Sequence, residues 1–453
     1  MTDQGRLIRD LEESGQGHVV RRLGRLDGAA RERLARQLAT FDYALVRRLA
    51  ARAAEEQAPD EVGDFEPAPV LPLDRPDAAK ARARGTGEEA IRKGDVAAFV
   101  VAGGQGSRLR FDGPKGCFPI GPVTGKPLFQ VHAEKVLASA RRYGARIPLC
   151  IMTSEANDDD ARKFFEDKRF FGLAASDVFF CKQRTLPAFD RQGRFLLEAP
   201  HRVFVSPDGH GGSYFALASS GALDDLERRG VRHLSYVQVD NPMVSPVDPL
   251  FLGEHVRAGS ELSSKVLRKR EPLEKLGVFG YVAGRLRVVE YSEIPPTRQR
   301  ETRPDGTLRY AFGSIAVHVL DVGFARRMAA ADLPFHLARK RIPSLDEEGR
   351  RGEVEGIKFE HFVFDAVQLA RNPVVMEVRR EDEFAPVKNF EGEDSPATAR
   401  AAMAAQHRRW LREAGLAVDE GWAVEVSPLF ALDAEELRSK AAGVHPRDGL
   451  YLG

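Results

Sequence analysis

The apolar run Ala97-Ala-Phe-Val-Val101, followed at once by Ala102-Gly-Gly-Gln-Gly-Ser-Arg-Leu109, constrains this chain more than any other stretch. The run reads as a buried strand, and the glycine cluster after it as a tight connection. Gly103, Gly104 and Gly106 can take positive φ and leave backbone N–H groups facing an anion with no Cβ in the way. Just beyond them stand Arg108, with a planar fork, and Lys115, a point charge between Pro114 and Gly116. A glycine loop with two such cations predicts a triphosphate handled as a substrate.

Two other phosphate loops do not fit. A dinucleotide fingerprint needs G-x-G-x-x-G opening a helix, whereas the order here is G-G-x-G-S-R. Gly125-Lys126-Pro127 lacks both the hydroxyl and the spacing of a P-loop.

A chain of 453 residues is long enough for two or three domains. Lys+Arg 68 against Asp+Glu 67 leaves a net charge of +1, so no global field favours nucleic acid or a membrane surface, and anion selectivity has to be local. No apolar run approaches the roughly 20 residues of a membrane span. The polar start Met1-Thr-Asp-Gln-Gly-Arg6 is unlike a secretory signal, so a cytoplasmic location is expected. Cys117, Cys150 and Cys181 are far apart in sequence and offer neither a disulfide framework nor a zinc site; core packing is expected for all three.

Residues 5–56 carry a helical, charged pattern, with Leu34, Leu38, Phe41, Leu45 and Leu49 forming one stripe expected on a single packing helix. Prolines and acids from 58 to 77 predict an extended segment. From 94 to about 380 strands and helices alternate, which predicts an α/β domain with a mostly parallel sheet. Strands are expected at 147–152, 178–181, 233–239, 286–291 and 374–378, and a helix at 158–170. Phe359, Phe362, Val363 and Ala366 read as one apolar helical face. A helix at 397–413, an extended stretch at 422–432 and a helix at 433–442 predict a small C-terminal domain. The expected organisation is therefore 1–93 as helical segment and linker, 94–389 as catalytic domain and 390–453 as C-terminal domain.

Open α/β sheets bind ligands beyond the carboxyl ends of their strands. Asp240, after the strand 233–239, is either a turn initiator before Asn241-Pro242 or a carboxylate for a metal-bound phosphate; the triphosphate loop on an earlier strand favours the second. His210, in Ser206-Pro-Asp-Gly-His-Gly-Gly212, is a ligand contact or a turn residue in the left-handed region. Glu290 and Lys388 do not stand out locally from solvated surface.

Read together, these segments resemble the eukaryotic-type UDP-sugar pyrophosphorylases, and most closely the UDP-N-acetylhexosamine pyrophosphorylases. The family signature Leu-Ala-Gly-Gly-Gln-Gly-Thr-Arg-Leu-Gly, then Pro-Lys-Gly, stands here as Val101 to Arg110 and Pro114 to Gly116. The resemblance continues through Ile151-Met-Thr-Ser154, Pro207-Asp-Gly209, Val239-Asp-Asn241, Val289-Glu-Tyr-Ser-Glu-Ile294, Gly356-Ile-Lys358 and Arg380-Glu-Asp-Glu-Phe384 to Lys388-Asn389, over nearly the whole chain.

The resemblance implies a nucleotide-diphospho-sugar transferase fold, Rossmann-like with a mostly parallel sheet. It places Gly103, Gly104, Gln183, Gly209 and His210 at the nucleotide, and Arg108 and Lys115 on the triphosphate. Asp240 would ligate Mg²⁺, Lys388 would hold the sugar phosphate, and Gly277, Glu290 and Ser314 would face the sugar. The implied reaction is attack by a sugar 1-phosphate on the α-phosphorus of UTP, with loss of pyrophosphate. No covalent intermediate is required, and catalysis is positioning plus charge stabilisation.

N-Acetylglucosamine 1-phosphate is the implied sugar phosphate, with glucose 1-phosphate or a broad set of hexose 1-phosphates as the alternative. A non-catalytic sugar-nucleotide sensor is the alternative of another class. Three departures bear on the sugar: His210 for asparagine, Ser314 for asparagine and Arg184 for glycine after Gln183. UTP and a sugar 1-phosphate are the expected partners, with no nucleic acid and no membrane, for a monomer or weak homo-oligomer.

Overall fold

A computed structural model of the chain describes residues 3–55, 62–346 and 348–453. Compactness groups it into two bodies, one of residues 1–60, 184–212 and 333–363 and the other of 61–183, 213–332 and 364–453. The stretches 184–212 and 333–363 leave the larger body and return to it, a grouping that composition along the chain does not display.

In the smaller body, helices Asp3–Glu13, Gly17–Arg25, Gly28–Leu38 and Tyr43–Ala54 are followed by short strands and by the hairpin His336–Leu345 with Arg351–Glu360. The leucine stripe is divided between two helices rather than carried by one. Asp42 accepts hydrogen bonds from the backbone N–H groups of Ala44 and Leu45, which caps a new helix and breaks the old one before Phe41. Both halves still bury their leucines: Leu34, Leu38 and Leu49 pack with Phe189, Phe195, Ile357 and Phe359. Phe359 reaches that core from a strand, not from the expected helical face. Ile357 and Phe359 point inward with period two, and only after Glu360 does the chain wind, as a 3-10 turn over Val363–Leu369.

In the larger body, strands Val178–Lys182, Leu149–Thr153, Val96–Val101 and His233–Gln238 lie side by side in that order and all parallel. Every residue of Val96–Val101 and of Leu149–Thr153 is buried, as parallel strands covered on both faces require. The sheet continues through Phe312–Asp321, antiparallel to His233–Gln238, and from there to Val278–Val282 and Leu262–Arg268. Among the covering helices, Asp77–Arg92 and Pro249–Ala258 cross closely enough to need glycine on each. A Cβ on Gly87 would lie 1.9 Å from the Pro249 carbonyl oxygen, and one on Gly253 1.7 Å from that of Ala83.

The C-terminal stretch belongs to this body but has a small core of its own. The helix Pro396–Glu413 opens with a capping box at Ser395 and Thr398, and the parallel pair Val424–Val426 with Leu450–Leu452 packs beside it. Among the described residues no helix is long and apolar enough to cross a membrane.

Candidate active site

Three of the parallel strands deliver sequence-predicted residues at their carboxyl ends. The glycine loop follows Val101, Gln183 follows Lys182, and Asp240 stands two residues after Gln238. The loop is not held open by positive φ, since Gly103, Gly104 and Gly106 all lie outside the left-handed region. Their smallness is used instead: a Cβ on Gly103 would sit 2.5 Å from Gln183 Oε1, and one on Gly106 2.8 Å from the Phe111 ring. Backbone bonds from Gly106 N to Gly113 O (2.9 Å) and from Lys115 N to Gly104 O (3.1 Å) fold the loop back on itself.

A residue that sequence reasoning passed over anchors the loop. Buried Asn157 donates to the carbonyls of Ala102 (2.9 Å) and Gly104 (3.2 Å), while its Oδ1 accepts from Ser154 N (2.7 Å). The two bonds to the loop reach 55 and 53 positions along the chain, so no sequence pattern marks them.

The loop carries Lys115 to Asp240. Lys115 Nζ lies 3.3 Å from Asp240 Oδ2 and donates to the Val387 carbonyl at 3.2 Å, and Val387 N in turn donates to the Asp240 carbonyl at 2.8 Å. Val387 immediately precedes Lys388, whose Nζ lies 3.3 Å from Asp394 Oδ2. The structure thus brings Lys115, Asp240 and the segment bearing Lys388 into one hydrogen-bonded set. Arg108 is exposed on the same loop.

The backbone on either side of Asp240 is held from the helix Leu128–Tyr143. His132 Nε2 donates to the Val239 carbonyl at 3.0 Å, and burial holds its imidazole neutral, down to about 4. One turn further, Lys135 Nζ donates to the carbonyls of Pro242 (2.6 Å), Met243 (3.0 Å) and Val244 (2.8 Å). Burial pushes this ammonium down to about 7, with the Glu383 carboxylate opposing. Asn241 closes the other side by donating to the Glu383 carbonyl (2.7 Å) and accepting from Ala385 N (3.2 Å). A signal for Lys135 and His132 did exist in the sequence: they fall in helical register with Leu128 and Val131, so they are polar residues on an inward face.

The expected sugar residues also lie together. A Cβ on Gly277 would sit 2.9 Å from Glu290 Oε1, and Ser314 N donates to the Gly277 carbonyl at 2.8 Å. Glu290 is therefore half-buried beside two other predicted contacts rather than one more solvated surface glutamate.

Gly209 and His210 belong to the smaller body. Gly209 has φ of 82° and a Cβ on it would meet the His361 carbonyl oxygen at 2.5 Å, so both conformation and space demand glycine. His210 lies outside the left-handed region. Its ring stacks on Phe362 (5.2 Å, 11°), and Val363 N donates to its Nδ1 at 3.2 Å, which puts the proton of the neutral ring on Nε2. Arg184 Nε lies 3.2 Å from Oδ2 of Asp208, a carboxylate with no exposed side-chain surface.

Burial pushes the Asp208 carboxyl up to about 6, against the pull of Arg184. The unfolded chain releases this proton at lower pH than the native one, so stability is to fall as pH rises from about 4 through about 6, by about 2–3 kcal/mol. Asp208→Asn removes that slope. Chemical denaturation of both proteins between pH 4 and 7.5 checks it, and parallel stability curves would contradict the assignment.

Of the cysteines, half-buried Cys117 has its thiol pushed up to about 12 by burial, which disfavours the thiolate. Cys150 and Cys181 are distant in sequence but lie on neighbouring strands, both buried.

No group of three or more His, Cys, Asp or Glu side chains able to hold a metal exists among the described residues. Asp240 offers one half-buried carboxylate beside Lys115 of the glycine loop. A single hard oxygen donor fits a divalent cation that takes its other ligands from phosphate and water, and would not fit a closed structural metal site.

Comparison with known proteins places this geometry in a family. The model of the UTP–glucose-1-phosphate uridylyltransferase family matches residues 72–440. The chain is 39% identical over 437 residues to a Xenopus tropicalis UDP-N-acetylhexosamine pyrophosphorylase-like protein 1, covering 90% of this chain and 84% of that one. It is 36% identical over 383 residues to the UDP-N-acetylglucosamine pyrophosphorylase of Saccharomyces cerevisiae, covering 81% and 80%. Among solved structures, the uridine diphosphate N-acetylglucosamine pyrophosphorylase of Trypanosoma brucei in complex with inhibitor matches with a TM-score of 0.85 at 29% identity, over 100% of this chain and 98% of that chain. The chain belongs to the UTP–glucose-1-phosphate uridylyltransferase family and is a UDP-sugar pyrophosphorylase, a uridylyltransferase, as its motifs led one to expect.

Proposed function

We propose that this uridylyltransferase makes UDP-N-acetylglucosamine and pyrophosphate from UTP and N-acetylglucosamine 1-phosphate, with Mg²⁺ as cofactor. The observation that carries the reading is the set Lys115, Asp240 and Val387, which ties the phosphate loop to the segment of Lys388. Identity to relatives named for N-acetylhexosamine or N-acetylglucosamine pyrophosphorylase supports the choice of sugar.

In this reading Gly103, Gly104, Gln183, Gly209 and His210 seat the nucleotide. Arg108 and Lys115 hold the triphosphate and offset the charge that builds on it. Lys388 orients the sugar phosphate, whose oxygen attacks the α-phosphorus in line while the bond to pyrophosphate breaks. The attacking oxygen is already anionic, so no general base is needed, and catalysis consists of orientation and charge stabilisation. Asp240 would hold Mg²⁺, which when bound supplies a positive charge beside the reacting phosphates.

Glucose 1-phosphate is the second reading, favoured by Ser314, half-buried beside Gly277 and Glu290, where the resembled family has asparagine. Pyrophosphate release from UTP and Mg²⁺ is to be measured with both sugar phosphates in parallel. N-Acetylglucosamine 1-phosphate should show the higher kcat/KM, and Ser314→Asn should shift the ratio further towards it by about 10-fold. Preference for glucose 1-phosphate replaces the first reading by the second, and turnover with neither overturns both.

A further inference from the structure

Within the larger body, Glu274 and Arg380 form an ion pair across 106 positions of sequence. Arg380 Nη2 donates to both carboxylate oxygens of Glu274, at 2.7 and 2.9 Å, and the two side chains are mostly buried, 20% exposed for Glu274 and 15% for Arg380.

On one side the pair fixes the turn that leads to Gly277. Glu274 Oε2 also accepts from Arg270 N at 2.8 Å, and Leu276 N donates to the Glu274 carbonyl at 2.8 Å. Gly277 comes next in the chain, bonded through its carbonyl to Ser314 N and open towards Glu290. On the other side the pair fixes the start of the segment that carries Lys388. The Arg380 guanidinium lies over the Phe384 ring, 5.4 Å from its centroid, and Lys388 Nζ lies over the same ring at 5.7 Å. That ring packs against the main core, and Phe384 N donates to the Arg380 carbonyl at 2.9 Å. Glu274, Arg380, Phe384 and Lys388 therefore form one line of contacts. The far end of the segment is tied separately, by Val387 to Lys115 and Asp240.

We propose that Glu274 and Arg380 are positioning residues for the sugar 1-phosphate, setting Lys388, which would hold its phosphate, in register with Gly277, Glu290 and Ser314, which would face its ring. The inference rests on the uridylyltransfer reading above but not on which sugar is used. A substrate gripped at two points binds fully only when both are in register, and a misplacement of about 1 Å costs on the order of 100-fold. The glycine loop and Gln183, proposed to seat UTP, make no contact in this line. Removing one partner leaves a buried charge and costs stability too, but general loosening lowers turnover without singling out one substrate.

The test measures KM for UTP and for the sugar 1-phosphate that the parent uses. Arg380→Met and Glu274→Gln should each raise KM for the sugar phosphate at least about 10-fold and leave KM for UTP within about 2-fold. The double variant should be no worse than the worse single one, because the pair acts as a unit. Arg380→Lys keeps the charge but loses the planar fork, so a rise of about 3-fold is expected; as the mildest change it carries the test where the others fail to fold. An unchanged KM for the sugar phosphate, equal rises for both substrates, or additive effects in the double variant would overturn the proposal and leave the uridylyltransfer reading standing. A parent that turns over neither sugar phosphate would overturn both.

Discussion

Asp240→Ala lowers kcat by about 100-fold or more, and so does Lys115→Ala, while both proteins remain folded. The expectation follows from what each group leaves behind. Lys115 lies 3.3 Å from Asp240, so in the free chain each offsets the charge of the other. Removing the carboxylate deletes the oxygen proposed to hold Mg²⁺ and leaves the ammonium facing the loop alone. Removing the ammonium deletes both a cation for the phosphates and the tie to the Val387 carbonyl. Turnover against Mg²⁺ concentration separates the two, since Asp240→Ala should raise the Mg²⁺ requirement far more than Lys115→Ala does. Near-normal rates in both variants would remove the assignment.

The second large effect belongs to a residue that touches no substrate. Lys135→Met keeps the length and apolar body of the side chain but withdraws the three N–H donors that satisfy Pro242, Met243 and Val244. Unmade bonds at partly buried carbonyls cost about 1–3 kcal/mol each before relaxation, so a loss of about 2–4 kcal/mol in stability is expected. The turn beginning at Asp240 loosens with it, and kcat should fall by about 10-fold even where the variant is fully folded. Denaturant unfolding gives the first quantity and turnover at low temperature the second. Lys135→Arg, which retains the charge and several donors, should recover part of each. A variant as stable and as active as the parent would show that the three carbonyls find other partners.

How much of this was legible beforehand differs by kind of feature. The glycine loop and Asp240 could be picked out because each follows an apolar strand of the sheet, whereas Gln183 was singled out only by the family resemblance. The strands were legible because burial on both faces demands an unbroken apolar run, which local sequence displays directly. Boundaries were less so. One leucine stripe became two helices because a single capping aspartate, Asp42, outweighed the periodicity around it, and a supposed helical face at Phe359 was the end of a strand. Glu290 and Lys388 carried no local signal at all, and only the family resemblance singled them out.

The chain by itself determined the α/β class, the glycine loop after the first parallel strand and the membership of a uridylyltransferase family, because these depend on residue types at short spacings. Tertiary structure alone decided that smallness rather than positive φ is what Gly103 and Gly106 contribute, and that Asn157, His132 and Lys135 hold the loop and the carboxylate in place. It also decided that segments 184–212 and 333–363 join the N-terminal helices in a separate body. The physical reason is the same in each case. Hydrogen bonds and packing between residues more than fifty positions apart depend on how strands are ordered in space, and that order is not written in any local pattern.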